Sequence, residues 1–240
     1  MKHSLFISDL HLSVDRPEVF SAFAKFLVTT AAQADSLYIL GDLFEHWAGD
    51  DDLDDPFNRQ VVSALANLSS GGTALYLMHG NRDFLMGEAL VTACGAHLLP
   101  DPSLRVIHGV ATLLMHGDTL CSDDTAYMTF REQVREAAWQ QNFLSQPLTQ
   151  RKAQIEQLRE QSRLAQRQKT AEIMDVNAES VINTLRQRDY PRLIHGHTHR
   201  PALHVHEMDG HRCERWVLAD WYEQGSYLRC DEHGCTAIKI

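Results

Sequence analysis

Seven side chains, spread over five short motifs, could together bind metal ions. The motifs read D-x-H, G-D, G-N-x-D, H-G-D and G-H-T-H in chain order, and the candidate ligands are Asp9, His11, Asp42, Asn81, His116, His197 and His199. Imidazole, carboxylate and amide oxygen ligands without thiolate favour Mn²⁺, Fe or Zn²⁺ over Ca²⁺, whose protein ligands are all oxygen. A single buried histidine is more often a packing residue than a ligand, but this ordered set predicts a metal site.

The number of candidate ligands indicates two metal ions. Seven ligands exceed the needs of one tetrahedral centre, and a carboxylate such as Asp42 can bridge two ions about 3.5–4 Å apart that polarise a shared water. Glycine precedes three of the ligands, at Gly41, Gly80 and Gly196. Because glycine has no Cβ, the chain can turn tightly and approach the ions at these positions.

Each motif follows a short apolar run, which predicts a strand that ends at the site. The stretches read SLFISDLH, LYILGD, LYLMHGN, ATLLMHGD and RLIHGHTH. Helical patterns over 19–34 and 57–68 separate the first three, so the first half of the chain predicts an α/β core of alternating strands and helices. Sheets of this kind place ligand sites at the carboxyl ends of their strands.

The segment after Asp118 predicts helices instead of strands. It is rich in Gln, Arg, Glu, Ala and Leu, and Pro147 interrupts it, so we expect helices over 124–142, 150–169 and 178–188. From Leu203 onward, Asp-Gly and His-Gly turns between β-prone runs predict terminal hairpins. We therefore predict a core of residues 1–122 and 176–240, with a helical insertion, or lid, at 123–175.

The five motifs resemble those of the calcineurin-like metallophosphoesterases, and the likeness covers the whole predicted core. The matching residues read DLH, GD, GNRD, HGD and GHTH. The resemblance implies an α/β fold in which two facing β-sheets are flanked by helices, an αββα sandwich. It also implies one ion held by Asp9, His11, Asp42 and His199 and another held by Asp42, Asn81, His116 and His197.

Longer stretches resemble one branch of this family more closely, from Leu5 to about Pro201. They read YILGDLFEHWAGDDD, MHGNRDFLMG, MHGDTLCSDD and LIHGHTHRPA. Members of that branch use Mn²⁺ to cleave the diphosphate bond of UDP-2,3-diacylglucosamine, giving UMP and 2,3-diacylglucosamine 1-phosphate (lipid X) in bacterial lipid A synthesis. They are peripheral proteins of the cytoplasmic face of the inner membrane, so the resemblance implies the same substrate, ion and location here.

The same resemblance implies roles for individual residues. Catalytic roles fall on Asp42, Arg82 and His116, and substrate contacts fall on Asn81, Arg82, Asp124, Ser162, Gln166, Lys169 and His197. Three of these, Ser162, Gln166 and Lys169, are spaced i, i+4 and i+7 and would share one helical face. The branch has asparagine where this chain has Gln166, so that contact departs from the pattern.

Arg82 stands in GNRD where relatives that cleave alkyl esters have histidine. A histidine can protonate an alkoxide leaving group, whereas arginine, with a pKa above about 12, cannot act as an acid near neutral pH. A departing sugar phosphate is already a stable anion, so a guanidinium that stabilises its charge suits a diphosphate substrate. The alternative is that Arg82 forms a structural ion pair with Asp83 or Glu45.

The net charge, Arg82 and the complete set of ligands weigh against three other functions. The formal net charge is −10, and strong nucleic-acid binding needs a basic track, which disfavours a nuclease on the same scaffold. Arg82 disfavours the alkyl leaving group of a cyclic-nucleotide phosphodiesterase. A non-catalytic scaffold would be expected to lose ligands, and all seven are present. We predict no nucleic-acid partner and infer no obligate protein partner.

The insertion is basic within this acidic chain. Residues 131–169 carry eight Lys or Arg against four Glu. These charges either form ion pairs on solvated helices or meet anionic head groups or substrate phosphates. Six apolar residues there could line acyl-chain channels or simply pack the insertion onto the core; they are Trp139, Phe143, Leu144, Leu148, Leu158 and Leu164.

Two further features bear on location. No apolar run reaches the roughly 18–20 residues of a membrane span, and the N-terminal stretch MKHSLFISDL lacks a signal-peptide pattern, which predicts a cytoplasmic protein. The five cysteines include no C-x-x-C pair, which predicts reduced packing residues instead of a disulfide framework or a thiolate zinc site.

Overall fold

The structure is a computed structural model that describes residues 2–166, 173, 175–223 and 225–240. Its strands are β1 Ser4–Ile7, β2 Ser36–Leu40, β3 Ala74–Met78, β4 Ala96–Leu99, β5 Ser103–Ile107, β6 Val110–Leu114, β7 Arg192–His195, β8 Ala202–Met208, β9 His211–Val217, β10 Ser226–Asp231 and β11 Gly234–Lys239. Its helices are α1 Pro17–Thr29, α2 Pro56–Ser70, α3 Glu88–Cys94, α4 Thr125–Arg135, α5 Ala137–Leu144, α6 Leu148–Gln166 and α7 Ala178–Gln187.

The first sheet carries the alternation of strands and helices that the sequence predicts. Its order is β11-β10-β1-β2-β3-β4, with β1 to β4 parallel and β10 and β11 antiparallel. Strands β1 and β2 are buried along their whole length, as parallel strands covered on both faces usually are. Helix α2 follows β2 in the chain and leads to β3. It begins at Pro56, and Asp55 caps it by accepting a hydrogen bond from the backbone N–H of Phe57.

The second sheet faces the first and completes the sandwich. Its order is β5-β6-β7-β9-β8, and its strands β6, β7 and β9 are parallel. Phe6 and Met78 of the first sheet pack in one buried cluster with Leu114 and Ile194 of the second. Helices α1, α2 and α3 pack on the other side of the first sheet, and α7 packs on the second. The predicted αββα architecture is therefore confirmed.

The insertion contains helices α4, α5 and α6. Glu136 has an extended backbone (φ −64°, ψ 132°), which divides the single helix predicted over 124–142 into α4 and α5. Helix α6 follows Pro147 and is described as far as Gln166, while Lys169 lies outside the described residues. No helix in the described part of the chain is both long enough and apolar enough to cross a membrane.

Basic residues of the insertion contact acidic residues of the core. Arg151 is 1% exposed and forms an ion pair with Asp51. Arg131 contacts Asp118, which is fully buried, with 2.7 Å between Nε and Oδ2. These contacts agree with the interpretation that the basic residues form ion pairs. The acidic partners of Arg131 and Arg151 belong to the core and not to the insertion. Attraction between opposite charges thus helps to hold the insertion in place.

Two cysteines correct the expectation that all five are reduced. Cys230 and Cys235 form a disulfide with an S–S distance of 2.10 Å. They are directly paired across the β10–β11 hairpin, with 4.1 Å between their Cα atoms. A search for C-x-x-C spacing misses this pair because hairpin register brings the two residues together. The other three, Cys94, Cys121 and Cys213, are free and buried, as predicted.

Candidate metal centre

Most of the predicted ligands have an unusual backbone conformation. Five of the seven have positive φ angles, at Asp9 (54°), His11 (48°), Asp42 (53°), His197 (69°) and His199 (54°). Residues other than glycine seldom adopt this left-handed region, and such strain clusters at functional sites. The strained residues follow β1, β2 and β7, so the chain turns sharply where these strands end and directs the side chains to a common point.

The first group of ligand atoms joins residues from both sheets. Asp9, His11 and His199 offer one atom each within 4.8 Å of one another. The Nε2 atoms of His11 and His199 are 3.4 Å apart, and Oδ1 of Asp9 lies 3.5 Å from Nε2 of His199. Asp9 is fully buried, and its Oδ1 atom has no hydrogen-bond partner in the described structure. A buried, unpartnered carboxylate oxygen that faces two imidazole nitrogens suits a divalent cation.

The second group lies next to the first and shares Asp9 with it. Asp9, Asp42 and His116 form a set within the same 4.8 Å limit. Oδ2 of Asp42 is 3.8 Å from Nε2 of His11 and 3.9 Å from Nε2 of His116. Asp42 thus lies between a histidine of each group, which is where a bridging carboxylate has to be.

Asn81 and His197 complete the second group. The Oδ1 atom of Asn81 lies 3.0 Å from Nε2 of His116 and 3.0 Å from Nδ1 of His197. Nδ1 of His116 is 2.9 Å from the carbonyl oxygen of Leu40. Since a carbonyl only accepts, Nδ1 donates to it, and Nε2 is the nitrogen that faces the site, where a bound cation would take the place of its proton. All seven predicted ligands are therefore brought together.

Two carboxylates behind the histidines were not predicted. Oδ2 of Asp220 lies 3.2 Å from Nδ1 of His199, and Oε2 of Glu45 lies 3.5 Å from Nδ1 of His11. A carboxylate that accepts from the far nitrogen of a metal-binding imidazole sets its tautomer and its orientation, as Asp220 can do for His199. Nδ1 of His11 has no hydrogen-bond partner in the described structure, so Glu45 is its neighbour without a hydrogen bond. Neither residue belongs to one of the five metal motifs, and the sequence indicated Glu45 only as a possible partner of Arg82, so it gives no direct signal of this role.

The predicted close approach at the glycines is confirmed. A Cβ at Gly80 would lie 2.1 Å from Oδ1 of Asp42, and one at Gly196 would lie 2.2 Å from Oδ2 of Asp9. Gly41 has a φ of 92°, and a Cβ there would meet the His116 ring at 2.5 Å. Any side chain at these positions would displace a predicted ligand.

Asp83 stabilises the loops that carry two ligands. It is fully buried, and its carboxylate accepts hydrogen bonds from the backbone N–H of Gly80 and of Leu43, both at 2.8 Å. The backbone N–H of Arg82 donates to Oδ1 of Asp42 at 2.8 Å. The last residue of GNRD thus supports the site from behind, which its place in the motif could have indicated.

Burial and neighbouring charge shift the protonation of the site. Burial raises the pKa of Asp42 to about 7 and lowers the pKa of His197 to about 4. Burial also opposes the charge on His116, but the negative charge of Asp42 outweighs it and raises the His116 pKa to about 9. For His199, burial is outweighed by the hydrogen bond with Asp220, and the pKa rises to about 10. A bound cation would displace these protons, because it interacts with the same carboxylates and nitrogens.

Arg82 lies at the edge of the site within a cluster of guanidinium groups. Its Nη1 atom is 3.0 Å from Oε1 of Glu45. The same carboxylate contacts Nη2 of Arg16 at 3.1 Å and Nη2 of Arg159 at 2.5 Å. The structure therefore contains the Arg82–Glu45 pair that the sequence left as an alternative. Three positive groups meet one carboxylate, so the cluster retains an excess of positive charge beside His11.

The predicted contacts from the insertion are less complete. Asp124 caps helix α4 by accepting from a backbone N–H at 3.2 Å. Ser162 is exposed on α6, one turn after Arg159, which reaches Glu45. Gln166 is the last described residue of α6, but its side chain and the whole of Lys169 lie outside the described residues. Arg159 therefore places this face of α6 beside the site, although the sequence analysis did not single it out.

The apolar candidates of the insertion divide into two sets. Phe143 is buried and stacks on Trp139 with ring centres 4.9 Å apart, and Trp139 lies 6.2 Å from the ring of Phe84. Leu148 is half-buried, whereas Leu144, Leu158 and Leu164 are 40%, 37% and 50% exposed. Phe143 and Trp139 fit the packing alternative, and the three exposed leucines leave apolar surface on the insertion.

Two sheets that bring these histidines and carboxylates to their shared edge define the class of the calcineurin-like phosphoesterases. The model of that family matches residues 3–201, and the chain belongs to the family. The chain is 54% identical to the UDP-2,3-diacylglucosamine hydrolase of Aromatoleum aromaticum, over 96% of this chain and 94% of the relative. It is 48% identical to the protein of that name in Pseudomonas paraeruginosa (96% and 95% covered) and 45% identical to the one in Edwardsiella ictaluri (99% and 92% covered).

Proposed function

We propose that this chain hydrolyses the diphosphate bond of UDP-2,3-diacylglucosamine in lipid A synthesis, giving UMP and 2,3-diacylglucosamine 1-phosphate. The observation that carries the proposal is full-length similarity to relatives named for this substrate, 54% identity over 96% of the chain in one case. The convergence of all seven ligands supports it, because a non-catalytic scaffold has no need of a complete site.

The proposed cofactor is a pair of Mn²⁺ ions. Asp9, His11, Asp42 and His199 would hold one ion, and Asp42, Asn81, His116 and His197 would hold the other. When bound, the ions supply Lewis acidity that polarises the attacking water and the phosphate oxygens. Metal analysis of purified protein tests the number, with two ions expected per chain. Asp42→Ala should lose both, since the bridging carboxylate serves each ion, and two tightly bound ions in that variant would contradict the bridge.

Arg82 would stabilise the charge of the leaving sugar phosphate. Its guanidinium is 26% exposed, and Glu45 contacts both Arg82 and His11. The guanidinium would turn from Glu45 to a phosphate oxygen of the leaving group. The leaving group departs as an anion and takes no proton, so a fixed positive charge serves it better than an acid. Asn81, His116 and His197 would orient the phosphate that is attacked.

The insertion at 123–175 would act as a lid over the lipid half of the substrate. Arg159 already contacts the core beside the metal centre, and Ser162 follows it on the same helix. Asp124, Gln166 and Lys169 would add polar contacts to the glucosamine. The exposed leucines would contact acyl chains, because each methylene removed from water contributes about 0.8 kcal/mol.

We also propose a peripheral location on the cytoplasmic face of the inner membrane. A diacylated substrate resides in a bilayer, and the exposed leucines of the insertion offer apolar surface for contact. Arg131 and Arg151 are already paired with core carboxylates, so they leave little free charge for a nucleic-acid track.

Turnover of a matched panel tests the proposal. Purified protein with Mn²⁺ is incubated with UDP-2,3-diacylglucosamine, UDP-glucose, cyclic AMP and single-stranded DNA. We expect the diacylated substrate to be cleaved fastest. Faster cleavage of DNA or cyclic AMP would replace this proposal with a phosphodiesterase function on the same metal centre.

A further inference from the structure

A cavity of about 330 Å³ adjoins the loop that carries His197 and His199. The proposed function does not yet assign a role to it. Thr198, which joins the predicted ligands His197 and His199, forms part of its wall. The cavity is also lined from strand β9 and from strand β8, at the edge of the second sheet. A ligand in the cavity would therefore lie next to the loop that carries two of the predicted metal ligands.

One wall of the cavity carries a buried arginine. Arg215 is 7% exposed, and it donates hydrogen bonds to Nε2 of His195 at 3.1 Å and to Nε2 of His206 at 3.3 Å. Nδ1 of His195 lies 2.9 Å from the carbonyl oxygen of Gly196 and donates to it, so Nε2 is the acceptor for Arg215. No ion pair among the described residues includes Arg215. A buried guanidinium with no carboxylate at ion-pair distance is costly, and a polar ligand in the cavity would offset that cost.

Other groups at the cavity add one donor and one acceptor. Oγ1 of Thr198 is buried and has no hydrogen-bond partner in the described structure. Asp175 lines the cavity as well, and its carboxylate is held by Arg200. Hydrogen-bond donors and a carboxylate therefore face the same space.

The remaining wall is apolar. Pro201, Ala202 and Val217 contribute it. A bare phosphate would gain nothing from such a wall, whereas the flat face of a heterocycle would be removed from water there. Apolar walls with a few donors and one acceptor at the edge fit a planar ring that carries carbonyl oxygens and an N–H group.

We propose that this cavity binds the uracil and ribose of the nucleotide half of the substrate. Arg215 and Thr198 would donate to the uracil carbonyls, and Asp175 would accept from its N–H. The inference rests on the proposed function, since it takes the substrate to be a UDP-sugar. It divides recognition between two surfaces: the insertion binds the lipid half, and the edge of the second sheet binds the nucleoside.

The test fills the cavity without touching the metal ligands. Ala202→Phe places a ring in the cavity from an exposed edge strand, where the fold should tolerate it. Val205→Phe is the matched control, because it lies on the same strand, is 44% exposed and points to the opposite face from Ala202 and His204. Folding of both variants is compared by thermal midpoint.

The readout is inhibition of a small chromogenic phosphodiester by UMP and by ribose 5-phosphate. In the wild type and in Val205→Phe, we expect UMP to inhibit at least about tenfold more strongly, because only UMP carries the base. In Ala202→Phe the two should inhibit alike, and KM for UDP-2,3-diacylglucosamine should rise about tenfold. Equal inhibition in the wild type, or an unchanged Ala202→Phe, would overturn the inference.

The design separates this inference from the proposed function. The chromogenic assay does not use the lipid, so it reports on the cavity alone. A wild type that cleaves the lipid substrate but does not distinguish UMP from ribose 5-phosphate would overturn the cavity assignment only. A wild type that fails to cleave the lipid substrate would overturn the proposed function, whereas the inhibition by UMP and by ribose 5-phosphate would still decide whether the cavity binds the base.

Discussion

Arg159 of helix α6 and Glu45 of the core form an ion pair in which Nη2 lies 2.5 Å from Oε1. Glu45 also contacts Arg82 at 3.0 Å and the predicted ligand His11 at 3.5 Å. One carboxylate thus connects the insertion, the arginine proposed for the leaving group and the metal centre.

Glu45→Gln should lower kcat/KM by an amount that corresponds to a loss of about 1–3 kcal/mol of transition-state stabilisation. The reason is that a partly buried charged contact is lost and the guanidinium groups then repel one another. The matched control is Glu156→Gln, which removes a second carboxylate from Arg159 at 2.9 Å but at a position 61% exposed. An exposed pair contributes little, so this control should stay within about 0.5 kcal/mol of the wild type. Equal losses in the two variants would show that Glu45 has no special role.

Arg82→Ala should cost about 2–4 kcal/mol in kcat/KM on the diphosphate substrate, with metal content unchanged. Lysine should restore little, since a point charge cannot contact two phosphate oxygens in one plane. Arg82→His should favour esters with poor leaving groups, which profit from an acid. The measurement is kcat/KM on UMP esters that span leaving-group pKa, with Arg59→Ala as a surface control. The same dependence on leaving-group pKa in Arg82→His and the wild type would contradict the assignment.

The stability of metal-free protein should fall between pH 7 and pH 9. The pKa values of His116 and His199 rise from 6.5 to about 9 and about 10, so over this window the folded state binds more protons than the unfolded state. The free energy of unfolding then decreases as pH increases. We expect the thermal midpoint of EDTA-treated protein to drop across the window. Asp220→Asn should make the drop smaller, because a neutral acceptor replaces the carboxylate whose hydrogen bond and negative charge raise the His199 pKa. A midpoint independent of pH would contradict these shifts.

Substitution of both Leu158 and Leu164 by glutamine should raise KM for the diacylated substrate about fivefold, since less acyl surface would be removed from water. Turnover of a small phosphodiester and the thermal midpoint should not change, because these side chains are 37% and 50% exposed. Val28→Gln, at a position 76% exposed on helix α1, is the control for added surface polarity. A parallel loss on the small substrate would assign the leucines a structural role.

The meeting of ligands such as Asp9 and Asp42 was predictable from the sequence, because parallel strands that end at one edge of a sheet bring the residues after them together. Glu45 was not predictable as a partner of Arg159, since 114 positions separate them and only the fold of the insertion joins them. Asp220 reaches His199 from the turn after β9, outside any motif. Short elements such as α3 and β4 were also missed, because seven and four residues show too little periodicity.

The metal centre takes its ligands from both sheets, and this has a consequence for refolding. His11 follows a strand of the first sheet and His199 a strand of the second, at a separation of 188 positions. Neither sheet alone offers either complete ligand set, so tight metal uptake has to await the docking of the sheets. Contacts so distant in the chain form slowly. Metal uptake during refolding should therefore lag behind the recovery of helical signal, and added Mn²⁺ should increase the final yield by binding only the docked state.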